Sequence, residues 1–508
     1  MARPKTLSRR QLMQLVAAGT AAGAVPFGLS ALGGLPRARA FDDGPRFMVV
    51  IGCFGGASML DCFMPVSDRV AYTHPDRGTV ISYDTTRPRG DDMSCPDRDQ
   101  PVSFLLNHGS ESVVMGYQGS SVNHFEAQRR VVNGRGTFRG RTLTEAVSST
   151  YGGAMTLPNV NMGRGGYSEP GADVELSPRY QAEIVTNPVT FALSTSGHAG
   201  ITPVGDRAIE TPDIRARLIE KARTVRDEEL ERHSPFAQTF ATSRVRQDLI
   251  TGRRDRDPTL ESANLIEKLL YVPDLGDIFP LNKYGLSSAE EASQILDVLD
   301  DAWPTNTSGI AADRLEAQAA LAYLLIRNEV SCGITLTEPG TDGFLAFDQS
   351  HVDHRSAQQT HWDRVLAVAD KLIGLLKGAE YHDASGPTGT SYWDRTMIVF
   401  ATEFGRDKWD KGGTFGTGHN MNNGLLAVSP LLKGGQVLGQ TDPWNGHICG
   451  YDADTGAPTP FTGLAPGEDP AYDDPNLPPG EEQVYGALLD AVGVSYDGQQ
   501  TIPAIQRA

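Results

Sequence analysis

A chain of 508 residues with a formal net charge of −18 presents an acidic surface, which excludes nucleic acid and anionic lipid as natural partners. The length is ample for a large hydrophobic core, and without an internal repeat or long linker it favours one large domain over tandem domains. Five cysteines without a Cys-x-x-Cys spacing exclude a zinc–thiolate site and haem attachment, and leave room for one disulfide, with Cys95 or Cys449 as candidates.

The first forty residues have the layout of a cleavable signal peptide. A basic start is followed by an apolar run over 12–34 and by the small-x-small site Ala38-Arg39-Ala40. The segment Ser8-Arg9-Arg10-Gln11-Leu12-Met13 is similar to the twin-arginine consensus, with an ordinary secretory signal as the alternative. We expect folded export, a periplasmic or secreted location and no membrane span after cleavage. Removing the six positive charges of residues 1–40 from −18 leaves the mature chain at −24.

The rest of the chain, 41–508, alternates predicted strands and helices. In chain order these are a buried strand over 46–52, an insertion near 76–100, a strand over 112–116, helical pieces over 126–151, an insertion near 206–310 with a charged helical cap that starts at Thr211-Pro212, a helix over 313–330, strand 332–336, helix 362–377, strands 396–401 and 425–428, an insertion near 440–480 and a helix over 482–492. This alternation predicts an α/β fold with a doubly wound, mostly parallel sheet and helices on both faces.

Polar residues that bind metals or anions follow each predicted central strand, where the sites of open α/β sheets gather. In strand order they are Ser58 and Asp61; Ser120, Ser121, Asn123 and His124; Asp348, His351, Asp353 and His354; and Glu403 and Arg406, with His419 further on. Carboxylates and imidazoles from separate strand ends are ligands for Zn²⁺, Mn²⁺ or Ca²⁺. Each residue alone is also typical of a turn, so the prediction depends on the recurrence of the pattern.

Several segments carry a resemblance to a known family. They are Gly55-Gly56, the run 113–116 leading to Asn123-His124-Phe125, the segment 347–361, Thr402-Glu403-Phe404-Gly405-Arg406, Gly416-Thr417-Gly418-His419 and the run 434–439. Together they resemble the domain-of-unknown-function 1501 family of exported proteins, in the alkaline phosphatase-like superfamily. The resemblance implies an alkaline phosphatase-like fold and metal-dependent hydrolysis of phosphate or sulfate esters, small or polymeric, through a Ser or Thr nucleophile.

Roles for individual residues also follow from the resemblance. It implies Ser121, His124 and Arg406 as catalytic residues, with His124 beside the anion pocket and Arg406 on substrate oxygens or against Glu403. It implies metal ligands at Asp61, Asp348, Asp353, His354, Glu403 and His419. An internal ion pair that fixes a turn is the alternative for Glu403 and Arg406.

Three positions depart from the family pattern. Ser58 stands where the family has Asp, Asn123 where it has Ser, and Gly418 where it has Asp. The loss of these carboxylate and hydroxyl groups supports an alternative function, a catalytically degenerate periplasmic binding or scaffold protein. Metal content separates the two hypotheses in part.

Overall fold

The main element of the structure is a large mixed sheet packed against helices. The computed structural model describes residues 44–89, 93–188, 315–338, 346–383 and 385–507, with Leu265–Leu269 and positions 191, 221, 225 and 243. Within these residues the sheet has eight strands, which confirms the α/β class. In chain order they are β1 (Phe47–Cys53), β2 (Ser112–Gln118), β3 (Asn159–Asn161), β4 (Glu183–Ile184), β5 (Gly333–Glu338), β6 (Thr396–Thr402), β7 (Asn422–Val428) and β8 (Gln436–Leu438).

The strand directions are those of a mixed sheet. The order across the sheet is β8-β2-β7-β6-β1-β5-β3-β4. Strand β7 is antiparallel to β6 and β2, whereas the other neighbouring pairs are parallel. Residues 425–428, predicted as a short strand, belong to this longer antiparallel strand. The loop after β6 remains at one edge of the sheet, so the chain re-enters in the opposite direction.

The central strands place their loops at a common edge. All seven residues of β1 and of β6 are buried, as expected for continuous apolar runs that are covered on both faces. In the parallel register, Cys53 lies beside Thr402 on one side and beside Glu338 on the other. The segments that follow β1, β5 and β6 therefore leave the sheet at the same level.

Helices pack on both faces of this sheet. The described helices are α1 (Asp99–His108), α2 (His124–Asn133), α3 (Leu143–Tyr151), α4 (Leu265–Leu269), α5 (Leu315–Arg327), α6 (His354–Gly378) and α7 (Glu481–Ala491). Ser148 of α3 lies over Gly333, and His361 of α6 contacts Glu338. Successive strand residues point to opposite faces, and these two β5 positions are an odd number of residues apart, so α3 and α6 lie on opposite faces.

Most of the predicted elements are present, and their ends differ. The predicted strands before 402 correspond to β1, β2, β5 and β6, and the helices over 313–330 and 482–492 to α5 and α7. Helix α6 begins at His354 rather than at 362, because Asp353 caps it by accepting the Ser356 N–H at 3.1 Å. Between them, α2 and α3 account for the helical pieces over 126–151.

Other sequence predictions concern cysteines, the termini and the membrane. All five cysteines are buried free thiols, so the structure does not form the disulfide that the sequence allowed. The signal peptide 1–40 lies outside the described residues, as does the predicted cap insertion 206–310 apart from Leu265–Leu269 and isolated positions. Each helix in the described part of the chain is too short or too polar to cross a bilayer.

Candidate metal centre

Three loops at the carboxyl edge of the sheet bring the candidate site together. His124 begins α2 shortly after β2, and Asp348 lies in a 3-10 helix over Ala346–His351 after β5. His419 closes the long loop after β6, where Gly405–Arg406 pairs antiparallel with His419–Asn420. The location agrees with the general rule for sites in open α/β sheets.

His124, Asp348 and His419 form a group that fits a divalent metal ion. One ligand atom from each lies within 4.8 Å of the others. Asp348 Oδ1 is 3.4 Å from His124 Nε2 and 3.6 Å from His419 Nε2. Ligand atoms that each lie about 2.0–2.1 Å from a tetrahedral zinc ion are about 3.3 Å apart. The three side chains are 28%, 22% and 19% exposed, so solvent reaches the group.

The other ring nitrogen of each of these histidines faces an acceptor. His124 Nδ1 is 3.2 Å from Glu403 Oε1, and His419 Nδ1 is 3.0 Å from the backbone oxygen of Val122. With Nδ1–H donating to these oxygens, Nε2 is the nitrogen directed at Asp348, and it can bind a metal once it has lost its own proton. Phe404 stacks on His419 at 4.1 Å between ring centroids and lies 4.9 Å from His124, which fixes both rings.

The charges of the group favour a bound cation. Burial alone raises the pKa of Asp348, but hydrogen bonds from His419 and Arg406 and the charge of His124 hold that pKa well below its usual range. Burial lowers the pKa of His124, but its hydrogen bond to Glu403 and the charges of Glu403 and Asp348 raise that pKa above the ordinary value. Asp348 is therefore ionised at neutral pH, and a proton on His124 competes with a metal.

His351 is a fourth imidazole beside the same group. Its Nε2 is 3.2 Å from Asp348 Oδ1 and 2.8 Å from His419 Nε2. The same nitrogen is 3.2 Å from Arg406 Nη1, and the side chain is 44% exposed. Burial and the charge of Arg406 lower the pKa of His351, so its ring is neutral at pH 7. The sequence placed His351 among the loop residues but gave it no role.

Glu403 contacts His124 at Nδ1, the ring nitrogen opposite the candidate ligand atom Nε2, and is not one of the three candidate ligands. Its carboxylate is fully buried, and Oε1 accepts from the Gly55 N–H as well as from His124. Oε2 accepts from Gln128 Nε2 at 2.7 Å. Sequence reading missed Gln128, although its position four residues after His124 places both on one face of α2, the spacing that would have identified it.

Arg406 is a buried side chain that links the loops after β1, β5 and β6 by hydrogen bonds. It has 0% side-chain exposure and donates to Asp348 Oδ1 at 2.8 Å. It also donates to His351 Nε2 at 3.2 Å and to the backbone oxygens of Gly55, Gly56, Phe347 and Thr417. Burial lowers the pKa of Arg406, and Asp348 opposes that shift. The predicted alternatives were substrate oxygens or an ion pair with Glu403, and the structure gives an ion pair with Asp348 instead.

The paired glycines permit this close packing. Gly55 and Gly56 have φ angles of +100° and +81°, which L side chains rarely adopt. A Cβ on Gly55 would lie 2.2 Å from the Asp348 backbone nitrogen, and one on Gly56 would lie 2.4 Å from the Phe404 ring. Any side chain here would separate the loops that carry Asp348 and Arg406.

Two other predicted ligands, Asp61 and His354, form a separate closed pair. His354 Nε2 is 2.9 Å from Asp61 Oδ1, and both side chains have 0% exposure. The Tyr83 hydroxyl donates to the same oxygen, and His354 Nδ1 is 2.9 Å from Thr417 Oγ1. Neither residue contributes to the group of three ligand atoms. The third of these predicted ligands, Asp353, caps α6 as described above.

Ser121 and Asn123 shape the turn before α2. Ser121 Oγ accepts the Asn123 N–H at 3.1 Å, and Asn123 Oδ1 accepts the Glu126 N–H at 3.2 Å. Asn123 is therefore the helix cap of α2, a role for which its side chain is well suited. Ser120 hydrogen-bonds to Glu481 and Arg130. The catalytic role of Ser121 stays a prediction.

Gly418 has a carboxylate beside it, although it stands where the resembling family has Asp. Its N–H donates to Asp407 Oδ2 at 2.8 Å, and a Cβ at 418 would lie 2.8 Å from that oxygen. Asp407 therefore occupies the space of a side chain at 418.

No protein-family model matches the chain, and no curated protein matches it. The chemistry assigned to this edge of the sheet therefore rests on side-chain geometry.

Proposed function

We propose that the protein is a metal-dependent hydrolase of phosphate or sulfate esters that acts outside the cytoplasm. The observation that carries the proposal is the convergence of His124 Nε2, Asp348 Oδ1 and His419 Nε2 at the carboxyl edge of the sheet. Two imidazoles with one carboxylate favour Zn²⁺ or Mn²⁺ over Ca²⁺, which prefers oxygen ligands alone.

The number and exposure of the ligands support catalysis over a purely structural ion. Structural zinc sites use four protein ligands, whereas catalytic sites use three and leave a position for water or substrate. A bound metal would supply a Lewis acid and lower the pKa of a coordinated water to about 7. His351, neutral and partly exposed next to Asp348, would be the imidazole that takes up a proton at this site.

The hydroxyl contacts favour direct attack by water over a covalent intermediate. Ser121 is engaged in the turn before α2, and Asn123 cannot act as a hydroxyl nucleophile. Arg406 holds backbone oxygens and Asp348, so it positions the ligand loops rather than binding the ester. His124 is a ligand in this proposal, not an acid or base.

We also propose an alkaline phosphatase-like fold and twin-arginine export for this protein. The paired glycines, the ligands after β2, β5 and β6 and the buried arginine support an alkaline phosphatase-like, doubly wound architecture and membership of the domain-of-unknown-function 1501 family. The twin-arginine segment supports folded export to the periplasm or beyond. An exported protein with a folded metal site would carry its ion across the membrane already bound.

A second function, metal-dependent binding without turnover, is favoured by one observation. The buried basic side chain nearest the group, Arg406, has its hydrogen-bonding groups committed to the protein. Among the described residues, the metal and His351 would then be the groups that recognise a phosphate or sulfate ester. This alternative predicts a stoichiometric metal with no ester hydrolysis.

The decisive experiment combines elemental analysis with hydrolysis of p-nitrophenyl phosphate and p-nitrophenyl sulfate by the mature protein purified without chelator. We expect about one Zn or Mn per chain, which is lost in His124→Ala and His419→Ala together with any hydrolysis. His382→Ala is the matched control, because His382 is 58% exposed on the hairpin of Glu380–Asp383 and Gly386–Ser391 and lies outside the group. Folded wild-type protein that stays metal-free after incubation with Zn²⁺ and Mn²⁺ would exclude both functions.

A further inference from the structure

A cavity lies beside the turn that follows β2. Its volume is about 260 Å³, and its polar lining includes Ser120, Arg135, Tyr472, Asp473, Asp474 and Glu481. None of the three candidate metal ligands lines it. The cavity is therefore a separate feature of the molecule, formed by the turn after β2, the segment 472–480 and the start of α7.

Glu481 is the most unusual group in this cavity. It is the first residue of α7 and is only 3% exposed. Its Oε1 accepts both the backbone N–H and the hydroxyl of Ser120, each at 2.9 Å. Its Oε2 is buried and, among the described residues, has no hydrogen-bond partner. An unpaired buried acceptor is costly, so a ligand that supplies a donor to this carboxylate would bind favourably.

The charges around Glu481 favour a cationic donor. Asp473, Asp474 and Glu481 line the cavity with a single basic side chain, Arg135. Arg135 is 54% exposed and pairs with Glu482 at 3.3 Å, outside the lining. Burial and the charge of Glu482 raise the pKa of Glu481, an electrostatic cost that a bound cation would offset.

The remaining walls fit methylene groups and an aromatic contact. Leu477 and the buried Pro478 form an apolar part of the lining. Tyr472 is 65% exposed and offers a ring face, which attracts an ammonium group. A bare metal ion fits less well, because the cavity carboxylates do not form a group of three converging ligand atoms among the described residues.

We propose that this cavity binds a linear aliphatic amine with two or more primary ammonium groups. One ammonium pairs with the Glu481 carboxylate once that side chain turns Oε2 toward the cavity, a second is held by Asp473 or Asp474 at the mouth, and the methylene groups between them lie against Leu477 and Pro478. The site does not depend on the metal centre or on ester hydrolysis. Its ligand class is the opposite in charge of the ester proposed for the other site.

Isothermal titration of the mature protein with spermidine and 1,4-diaminobutane tests the proposal. We expect saturable binding of one amine per chain and no binding of the neutral analogue butane-1,4-diol. Glu481→Gln and Asp473→Asn should each raise the Kd by about tenfold or more. The Asp473→Asn change is at an exposed side chain, so it tests the site even if Glu481→Gln disturbs folding.

Asp497→Asn is the matched control, since it removes one exposed negative charge outside the cavity. An unchanged Kd in this variant with a weakened Kd in the two cavity variants supports the proposal. Equal weakening in all three variants would mean diffuse attraction to an acidic surface, and full displacement of the amine by an equimolar amount of Ca²⁺ would mean a metal site. Either result, or the lack of saturable binding, would overturn it.

Discussion

Two carboxylate–histidine arrangements lie close together in this protein, and they differ in where their lone pairs point. In the metal group, Nε2 of His124 and of His419 face a shared Asp348 oxygen, and the side chains are 19–28% exposed. In the other arrangement, His354 and Asp61 face each other with 0% exposure. Histidine and aspartate thus give an open ligand set in one place and a closed structural pair in the other.

The two arrangements differ because the histidine ring nitrogens have different hydrogen-bond partners. His124 and His419 use Nδ1 on Glu403 and on the Val122 backbone oxygen, which leaves Nε2 for an ion. His354 uses both nitrogens on protein partners, Thr417 and Asp61. Burial works to raise the pKa of Asp61, but the charge and hydrogen bond of His354 lower that pKa below its usual value. The three ligand atoms can therefore bind a metal ion, whereas the Asp61–His354 pair stabilises the fold.

The largest effect we expect comes from breaking the closed pair. Asp61→Ala leaves His354 and the Tyr83 hydroxyl without their acceptor in a fully buried place. The loss should lower the stability of the fold by about 3–5 kcal/mol, as for other broken buried pairs. Chemical denaturation of the variant and of wild type, both metal-free, measures it. A loss below about 1 kcal/mol would show that the pair is not a stability element.

The next effect distinguishes the two kinds of buried carboxylate. Glu403 lies 3.2 Å from His124 Nδ1, and Glu338 lies 3.2 Å from His361 Nδ1, both at strand ends. Glu403→Gln should weaken Zn²⁺ affinity by about 10–100-fold, because it loosens a ligand ring and lowers its basicity. Glu338→Gln is the matched control and should leave the affinity unchanged. Competition with a chromogenic chelator gives both values, and equal losses would contradict the assignment.

A smaller effect should connect the two arrangements. Thr417 hydrogen-bonds to His354 and is two residues from His419, so the closed pair helps to hold a ligand loop. Thr417→Val should reduce Zn²⁺ affinity by up to about tenfold and stability by about 1 kcal/mol. Thr441→Val removes a similar buried hydrogen bond, from Thr441 to the Met64 backbone oxygen, and not one to His354 or to a ligand loop. It should lower stability alone; a matching loss of affinity in both variants would mean that the effect is general.

The sequence predicted the sheet better than the site, for a physical reason. Strands β1 and β6 are continuous apolar runs whose type follows from local pattern, and Asp348, His419 and Glu403 follow strands whose ends meet. Whether a loop histidine points at a shared ion or at a buried aspartate depends on long-range packing. His354 begins a helix that Asp353 caps, and its side chain contacts Asp61 instead of the metal ligands. No local sequence pattern predicts that contact.

Metal binding should depend on pH, because a proton on His124 competes with the metal. The pKa of His124 is raised, despite its burial, by the hydrogen bond and charge of Glu403 and the charge of Asp348. Metal binding should therefore weaken as pH falls through this raised pKa, and the decline should begin above the ordinary histidine value of about 6.5. In Glu403→Gln the decline should move to lower pH, and in Glu338→Gln it should not move.

The metal-free protein should show the opposite trend, which makes the test internally consistent. A raised histidine pKa contributes stability that is fully present below the unfolded value of about 6.5 and is lost as pH rises through the folded pKa. Between those two pH values, rising pH should lower the denaturation midpoint of the metal-free protein while it strengthens Zn²⁺ binding. If both quantities rise together in wild type, protonated His124 is not stabilised by Glu403, and the orientation of Nε2 toward the shared oxygen loses its support.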